Sequence, residues 1–332
     1  MAVTLRDVAL AAGVSPSAVS RAFTPGASVA APTRARVMAA AERLGYLPNR
    51  LASSLSTGRT RLVGLIADDF VNPFFLGVFD LFTQGLQAQG LRPLLINLSG
   101  QTAPDGPLRM LREYAVEAAI LVSATLPASF AAAFAQAGIP IVHAFATSGA
   151  DPAVATAGID DVAAGRLAGR VLAARGYRKP AFVGGPRSTL PTRDRLAGFC
   201  AGFGDAPRVA HAQAFSFAAG RAAMQALLRD GPPDAVFGAD DVLSLGAISA
   251  LRDAGFAVPQ DVGVIGLNDM PMAGWDGVAL TTIAQPVAAI VAAVIGLTLD
   301  RISGGTAPSR VFAATLVERA TLRRQPDVPG SR

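Results

Sequence analysis

Ser17, Ser20 and Arg21 recur at i, i+3 and i+4, a spacing that puts two hydroxyls and a guanidinium on one face of a helix. Such a face can hydrogen-bond phosphate oxygens and base edges, and the arginine fork matches guanine O6 and N7 or two phosphate oxygens. The elements that must hold this face outward surround it. Leu5, Val8, Ala9 and Ala12 lie at i, i+3, i+4 and i+7 and give a first helix one apolar stripe, with Thr4 as its cap. Gly13 supplies a sharp bend. Ser15 caps a second helix, Pro16 fits its first position, and Val19 and Phe23 turn inward. The pattern fits a helix-turn-helix that enters a DNA groove, and it also fits an ordinary helical hairpin with a solvated outer face.

The charge distribution separates these two readings. The 332-residue chain carries a net charge of +5, but residues 1–61 hold eight arginines against Asp7 and Glu42. That segment is therefore +6 and the remainder about −1. Basicity confined to the candidate reader is what phosphate contact requires. The length suggests roughly two to three domains. Cys200 is the single cysteine, so no intrachain disulfide and no cysteine metal site is expected. A polar, capped start replaces a secretory signal. The most apolar run, Val287 to Leu299, is shorter than the ~20 residues of a membrane span. A soluble, cytoplasmic chain without metal, cofactor or membrane partner is expected. His143 and His211 read as packed or surface residues. Gly184-Gly185-Pro186 has no phosphate-loop spacing, and no serine, histidine and acid set is visible, so no enzyme is expected.

A third helix is predicted from Pro32 to Gly45, burying Val37, Ala40, Ala41 and Leu44 and leaving Arg34, Arg36 and Arg43 outside. Asn49 to Gly58 bounds a helix of one or two turns, too short to be stable unless something packs it. Short, mostly apolar runs follow at 61–67, 94–97, 119–122 and 139–142, with helical stretches between them at 77–89 and 107–114. A second set begins near Gly158, with helices around 162–174 and 193–202 and apolar runs at 181–184, 235–237 and 262–266. Such alternation predicts parallel sheets covered by helices, here as two lobes, with ligands bound beyond the carboxyl ends of the strands.

The run Thr4-Leu5-x-Asp7-Val8-Ala9-x-x-Ala12-Gly13-Val14-Ser15-x-x-x-Val19-Ser20-Arg21, followed by Gly45-Tyr46-x-Pro48-Asn49 and Ala52-x-x-Leu55, resembles the lactose repressor family of bacterial transcription regulators. The likeness continues to the carboxyl end, through Leu280 to Pro286 and Leu316 to Thr321. It implies an α/β fold class, with an N-terminal all-α helix-turn-helix headpiece and a two-lobed periplasmic-binding-protein-like core. The implied headpiece is 1–46, the hinge helix or linker 47–59, the core 60–325 and the tail 326–332. The lobes would comprise 60–157 with 286–313, and 158–285 with 314–325.

The resemblance further implies a homodimer on near-palindromic double-stranded operator DNA. Thr4, Ser15, Pro16, Ser17, Ser20, Arg21, Thr33 and Arg34 would meet the major groove or its phosphates. Asn49, Ala52 and Leu55 would enter the minor groove, with Leu55 as an apolar wedge. A small-molecule effector, a sugar or sugar derivative first and a nucleoside-like or aromatic metabolite second, would meet Asp69, Phe74, Phe75, Phe145, Arg193, Phe215, Asp240, Asn268 and Gln285. Inducer and corepressor modes use the same parts. The chain departs from the family at several positions. Ala30 replaces a capping serine and Ser53 a basic residue. Asp240-Asp241 stands for Asn-Asp, Asn268-Asp269 for Asp-Asp, and Phe145 for an aspartate. A solute-binding protein without DNA would need a secretory signal and no basic headpiece, the reverse of what is seen. If Leu55 is a wedge, Leu55→Ala weakens operator binding and reduces DNA bending. Equal bending in a circular-permutation assay would refute the wedge.

Overall fold

The computed structural model describes residues 3–24, 26–47, 59–99, 103–123, 125–126, 128–147 and 154–325. The chain divides into two compact units, Met1–Thr60 and Arg61–Arg332.

The first unit contains α1 (Leu5–Ala12), α2 (Pro16–Phe23) and α3 (Ala31–Leu44). Thr4 begins α1 with a reciprocal capping box to Asp7, and Gly13 ends it in the left-handed region at φ 62°. Ser15 caps α2 through the Ala18 N–H, and Pro16 takes its first position. Val8, Val19 and Val37 are fully buried and join the three helices, with Phe23 and Tyr46 packed at the edge. As the sequence predicts, α3 starts at Ala30 without a side-chain cap. The Arg34 guanidinium instead ties the preceding turn by donating to the carbonyls of Ala22 and Ala27.

The second unit holds two six-stranded sheets. The first lobe uses β1 (Leu62–Ala67), β2 (Arg92–Asn97), β3 (Ala118–Val122), β4 (Ile141–Ala144), β5 (Ala155–Ile159) and β11 (Arg310–Phe312), in the order β11-β5-β4-β3-β1-β2. All its pairings are parallel. The second lobe uses β6 (Pro180–Gly184), β7 (Arg208–His211), β8 (Ala235–Gly238), β9 (Gly263–Asn268), β10 (Thr281–Ala284) and β12 (Thr315–Val317), in the order β12-β10-β9-β8-β6-β7. Only β12 runs antiparallel, against β10. The chain leaves the first sheet after Ile159, returns after Ala284, and leaves again after Phe312.

Helices α4 (Phe74–Ala88), α5 (Asp105–Glu113), α6 (Ala128–Gln136) and α11 (Val287–Ile302) belong to the first lobe. Helices α7 (Asp161–Ala174), α8 (Leu190–Phe203), α9 (Phe217–Leu228) and α10 (Asp241–Asp253) belong to the second. One apolar cluster runs from Phe82 and Ile120 in the first lobe to Phe182, Phe199 and Phe237 in the second. Several elements carried no apolar signal in the sequence. β5 is fully buried, yet before Ile159 it is built from Ala, Thr and Gly and so has little hydrophobic contrast. In α9, alanines and a glycine hide the periodicity in the same way.

Two glycine pairs set the closest helix contact. A Cβ at Gly198 would lie 2.0 Å from the Val162 carbonyl oxygen, and one at Gly165 would lie 2.1 Å from that of Arg195. Gly169 and Gly202 meet the partner backbone in the same way. Helices α7 and α8 therefore touch backbone to backbone, which fixes the residues at their amino ends relative to each other. A Gly198→Ala substitution forces them apart and is expected to destabilise the core by ~1–3 kcal/mol. Urea unfolding of the two proteins measures the difference, and an unchanged midpoint would contradict this packing.

Candidate functional site

In the first unit, Ser15, Pro16, Ser17, Ser20 and Arg21 are all exposed. The turn and first helical positions orient them. Ser15 Oγ and Ser17 Oγ lie 2.9 Å apart, and Arg21 Nε donates to the Ser17 carbonyl at 3.4 Å. Thr4 is exposed but engaged, with its amide and hydroxyl both donating to Asp7 Oδ2 at 2.8 and 2.7 Å. These donors hold the Asp7 carboxyl below the usual carboxylate range. Thr33 and Arg34 are half-buried, and Arg34 braces the turn as described above. Asn49, Ala52, Ser53 and Leu55 lie outside the described residues.

In the second unit, the polar residues gather beyond the carboxyl ends of both sheets, as the topology requires. A cavity of about 470 Å³ lies between the lobes. The first lobe contributes Ser123, Thr125, His143 and Phe145, and the second contributes Asp161, Thr189, Arg193 and Asp194. Its volume falls within the usual range for small-molecule sites. Of the effector residues inferred from resemblance, Phe145 and Arg193 line it.

The others fall elsewhere. Phe215 lies on the Gly185 backbone, where a Cβ would come within 2.3 Å of the ring, and is 5% exposed. Phe75 is buried, and Phe74 stands edge-on to Phe145 with centroids 5.4 Å apart. Asp69 caps its own loop, accepting the amides of Val71 and Asn72 at 3.1 and 3.0 Å. Burial pushes the Asp69 carboxyl up in spite of these donors.

Asp240, Asn268 and Gln285 form a buried chain beside the cavity. Asp240 Oδ2 accepts from Asn72 Nδ2 at 3.0 Å and from Asn268 Nδ2 at 2.8 Å. Its other oxygen accepts the Val242 amide at 2.7 Å, capping α10. Gln285 Nε2 donates to Asn268 Oδ1 at 2.6 Å. Asn72 belongs to the first lobe and Asp240 to the second, so this network joins them directly. Burial pushes the Asp240 carboxyl up, against the pull of Asn72 and Val242.

Three residues at these strand ends adopt the left-handed backbone: Phe145 at φ 60°, Asn268 at 119° and Asp269 at 55°. The last two are held by the amide network and by an ion pair from Asp269 to Arg319 at 2.7 Å. Unfavourable backbone of this kind persists only where its surroundings over-determine it. Behind the cavity, Arg195 Nε donates to Asp161 Oδ1 at 2.7 Å, and its NH1 donates to the Ala239 carbonyl at 2.6 Å. Burial raises the Asp161 pKa and the Arg195 charge opposes the rise.

The sequence reading did not include Asn72, Ser123, Thr125, His143, Asp161 or Arg195 as site residues. A usable signal existed for two of them. Ser123 and Thr125 directly follow the buried strand β3, at the end where such sheets bind ligands. His143 alternates within an apolar strand and reads as core. Among the described residues, no cluster of His, Cys, Asp or Glu could hold a metal ion, and no helix is long and apolar enough to cross a membrane.

Comparison with known proteins follows the same division. A profile of bacterial regulatory proteins of the lacI family matches residues 4–49, and one of the periplasmic binding protein-like domain matches residues 170–322. The HTH-type transcriptional regulator MalR of Streptomyces coelicolor is 33% identical, across 99% of both chains. CelR of Thermobifida fusca, also an HTH-type transcriptional regulator, is 31% identical across 94% of this chain and 96% of its own. The lac repressor dimer bound to operator and the anti-inducer ONPF superposes with a TM-score of 0.89 at 25% identity, over 97% of this chain and 100% of that one. A CelR–cellobiose complex gives 0.72 at 29% identity, over 96% and 99%.

Asp241, next to the inter-lobe acid, makes stability depend on pH. It is fully buried, accepts from Thr282 Oγ1 at 2.6 Å and the Met270 amide at 2.8 Å, and is pushed up to about 8 by burial. The folded state therefore retains a proton that the unfolded chain has lost. The contribution of Asp241 to stability is greatest below the ordinary carboxylate range and is lost as pH rises toward about 8. Asp241→Asn keeps the shape and removes the titration. Between pH 5 and 8 it should shrink the loss of stability by more than ~1.4 kcal/mol, the equivalent of one pKa unit. Urea unfolding at both values measures this, and a loss as large as in the parent would show that Asp241 is ionised in the fold.

Proposed function

The chain belongs to the lacI family of bacterial regulatory proteins, and on that premise we propose that it is a homodimeric repressor whose grip on a near-palindromic operator is set by a sugar effector bound between the core lobes. As a DNA-binding transcriptional regulator it carries its reader in the basic first unit. Ser15, Pro16, Ser17, Ser20 and Arg21 face the major groove in this proposal. Pro16 offers only apolar contact there, so Arg21 supplies the strongest base or phosphate bond. The observation that carries the effector half is the 470 Å³ cavity, because its walls come from both lobes. A ligand that touches both lobes necessarily binds some lobe arrangements better than others, and so shifts their populations. The CelR–cellobiose complex supports the choice of a sugar.

Arg193, exposed on the second-lobe wall, is proposed as an effector contact, since a planar donor fork suits paired hydroxyls. The Asn72–Asp240 bond is proposed as the element through which the lobes sense one another. The repressor reading is tested by operator footprinting with the purified protein across a salt series. Absent or salt-insensitive binding would reject it. Arg193→Ala should abolish the effector response while leaving operator affinity and melting temperature intact, and an unchanged response would remove Arg193 from the site. Asn72→Ala should reduce the effector-induced change in operator affinity by about five-fold or more, the lower bound of ordinary allosteric coupling. Fluorescence anisotropy with and without effector reads both substitutions, and retention of full coupling would exclude the Asn72 bond from signalling.

A further inference from the structure

We infer that Thr125 and His143 set two lone pairs on the first-lobe wall of the cavity, which take two hydroxyl donors of a neutral carbohydrate. This rests on the reading of the cavity as a sugar effector site, and it adds two binding residues and a required polarity.

The polarity follows from the fixed partners of each group. The Thr125 hydroxyl donates to Asp68 Oδ2. A carboxylate oxygen can only accept, so the hydroxyl proton is committed and Thr125 Oγ1 shows only lone pairs to the cavity. His143 Nε2 lies 2.9 Å from the Ser123 carbonyl oxygen. A carbonyl also only accepts, so Nε2 carries the ring proton and Nδ1 presents a lone pair. Burial pushes the imidazole below its ordinary pKa and so disfavours a second proton on Nδ1. Ser123 Oγ accepts the Thr125 and Leu126 amides at 3.1 and 3.0 Å, which fixes the loop that bears the wall.

The acid behind the wall adds a negative field, which pulls the His143 pKa up against the larger, opposite effect of burial. Asp68 Oδ1 is sealed from solvent and has no hydrogen-bond partner among the described residues. Its field reaches His143 and opposes any anionic group brought against this side. The strand order explains the grouping, because β1, β3 and β4 are neighbours and Asp68, Ser123 and His143 sit at their carboxyl ends. A ligand must therefore offer O–H or N–H groups to these two atoms. Its acceptor side meets Arg193 on the opposite wall. A carboxylate or phosphate set against Thr125 Oγ1 and His143 Nδ1 would face lone pairs and leave them unsatisfied.

Isothermal titration of the full chain with cellobiose and with its aldonic acid, cellobionate, tests the assignment. The expected result is binding of cellobiose, at least ten-fold tighter than cellobionate. Thr125→Val and His143→Gln should each weaken it about five-fold or more, with operator binding and melting temperature retained. Asp68→Asn should weaken cellobiose binding more in the parent than in the Thr125→Val background, because orienting that hydroxyl is part of what Asp68 does. Undiminished affinity in both single variants, or preference for cellobionate, would overturn the inference and leave the sugar site standing. If the parent bound neither probe, the carbohydrate reading would fall and the inference with it. Nitrogen-15 NMR of the two histidines gives a ligand-independent check, since an Nδ1–H tautomer of His143 would overturn the acceptor wall by itself.

Discussion

A carboxylate taken out of water must find donors, and Asp240 finds them on both sides of a boundary. Its Oδ2 takes one amide from Asn72 in the first lobe and one from Asn268 in the second. Removing either partner would leave a buried acceptor short of a bond, a loss much larger than the net value of an exposed hydrogen bond. This requirement couples lobe geometry to a few side chains. It also explains the pairing of substitutions that the sequence shows at Asp240 and Asn268. An acid and an amide have exchanged places relative to the family pattern, and the exchange keeps one acceptor facing one donor. Gln285, in the crossover after β10, extends the chain of amides to the segment that links the lobes.

The rest of the second unit is arranged so that this boundary stays defined. Glycines bring α7 and α8 into backbone contact, and the amino ends of those helices carry Asp161 and Arg195, whose ion pair is almost wholly buried. A buried pair of this kind contributes more to geometry than to stability, since desolvation offsets most of the attraction. Its guanidinium also holds the Ala239 carbonyl, one residue before Asp240. Helix packing, ion pair and inter-lobe acid therefore form one connected set. The cavity lies against that set, between it and the Thr125–His143 wall.

The first unit follows a different logic. Its three described helices bury a small core of valines and alanines and depend on local caps. One cap is missing at Ala30, a substitution that ordinarily costs ~1 kcal/mol, and Arg34 contributes bonds at the same corner. An arginine that the sequence assigns to DNA is thus also a brace of its own turn. Both roles suit a side chain with five donors, only some of which the two carbonyls occupy.

Local interactions were legible in the amino-acid sequence because they depend on neighbours along the chain. Thr4 and Ser15 as caps, Gly13 as a left-handed residue, the reading face of α2 and the alternating strands and helices all follow from spacing and residue type. The long headpiece motif carried the family. The site was legible only in part, and the gaps share a cause. Phe215 was expected against a ligand, but whether an aromatic ring faces a cavity or a glycine backbone depends on strands far apart in sequence. His143 looked like core because alternation cannot show that the end of β4 opens into a space beside β3. The placement of Asn72 against Asp240, 168 positions away, was decided only by the packing of one lobe on the other. Sequence alone determined which groups were available and which local turns would present them. Tertiary structure decided which donor met which acceptor, because hydrogen bonding and burial act on distances in space that no local pattern encodes.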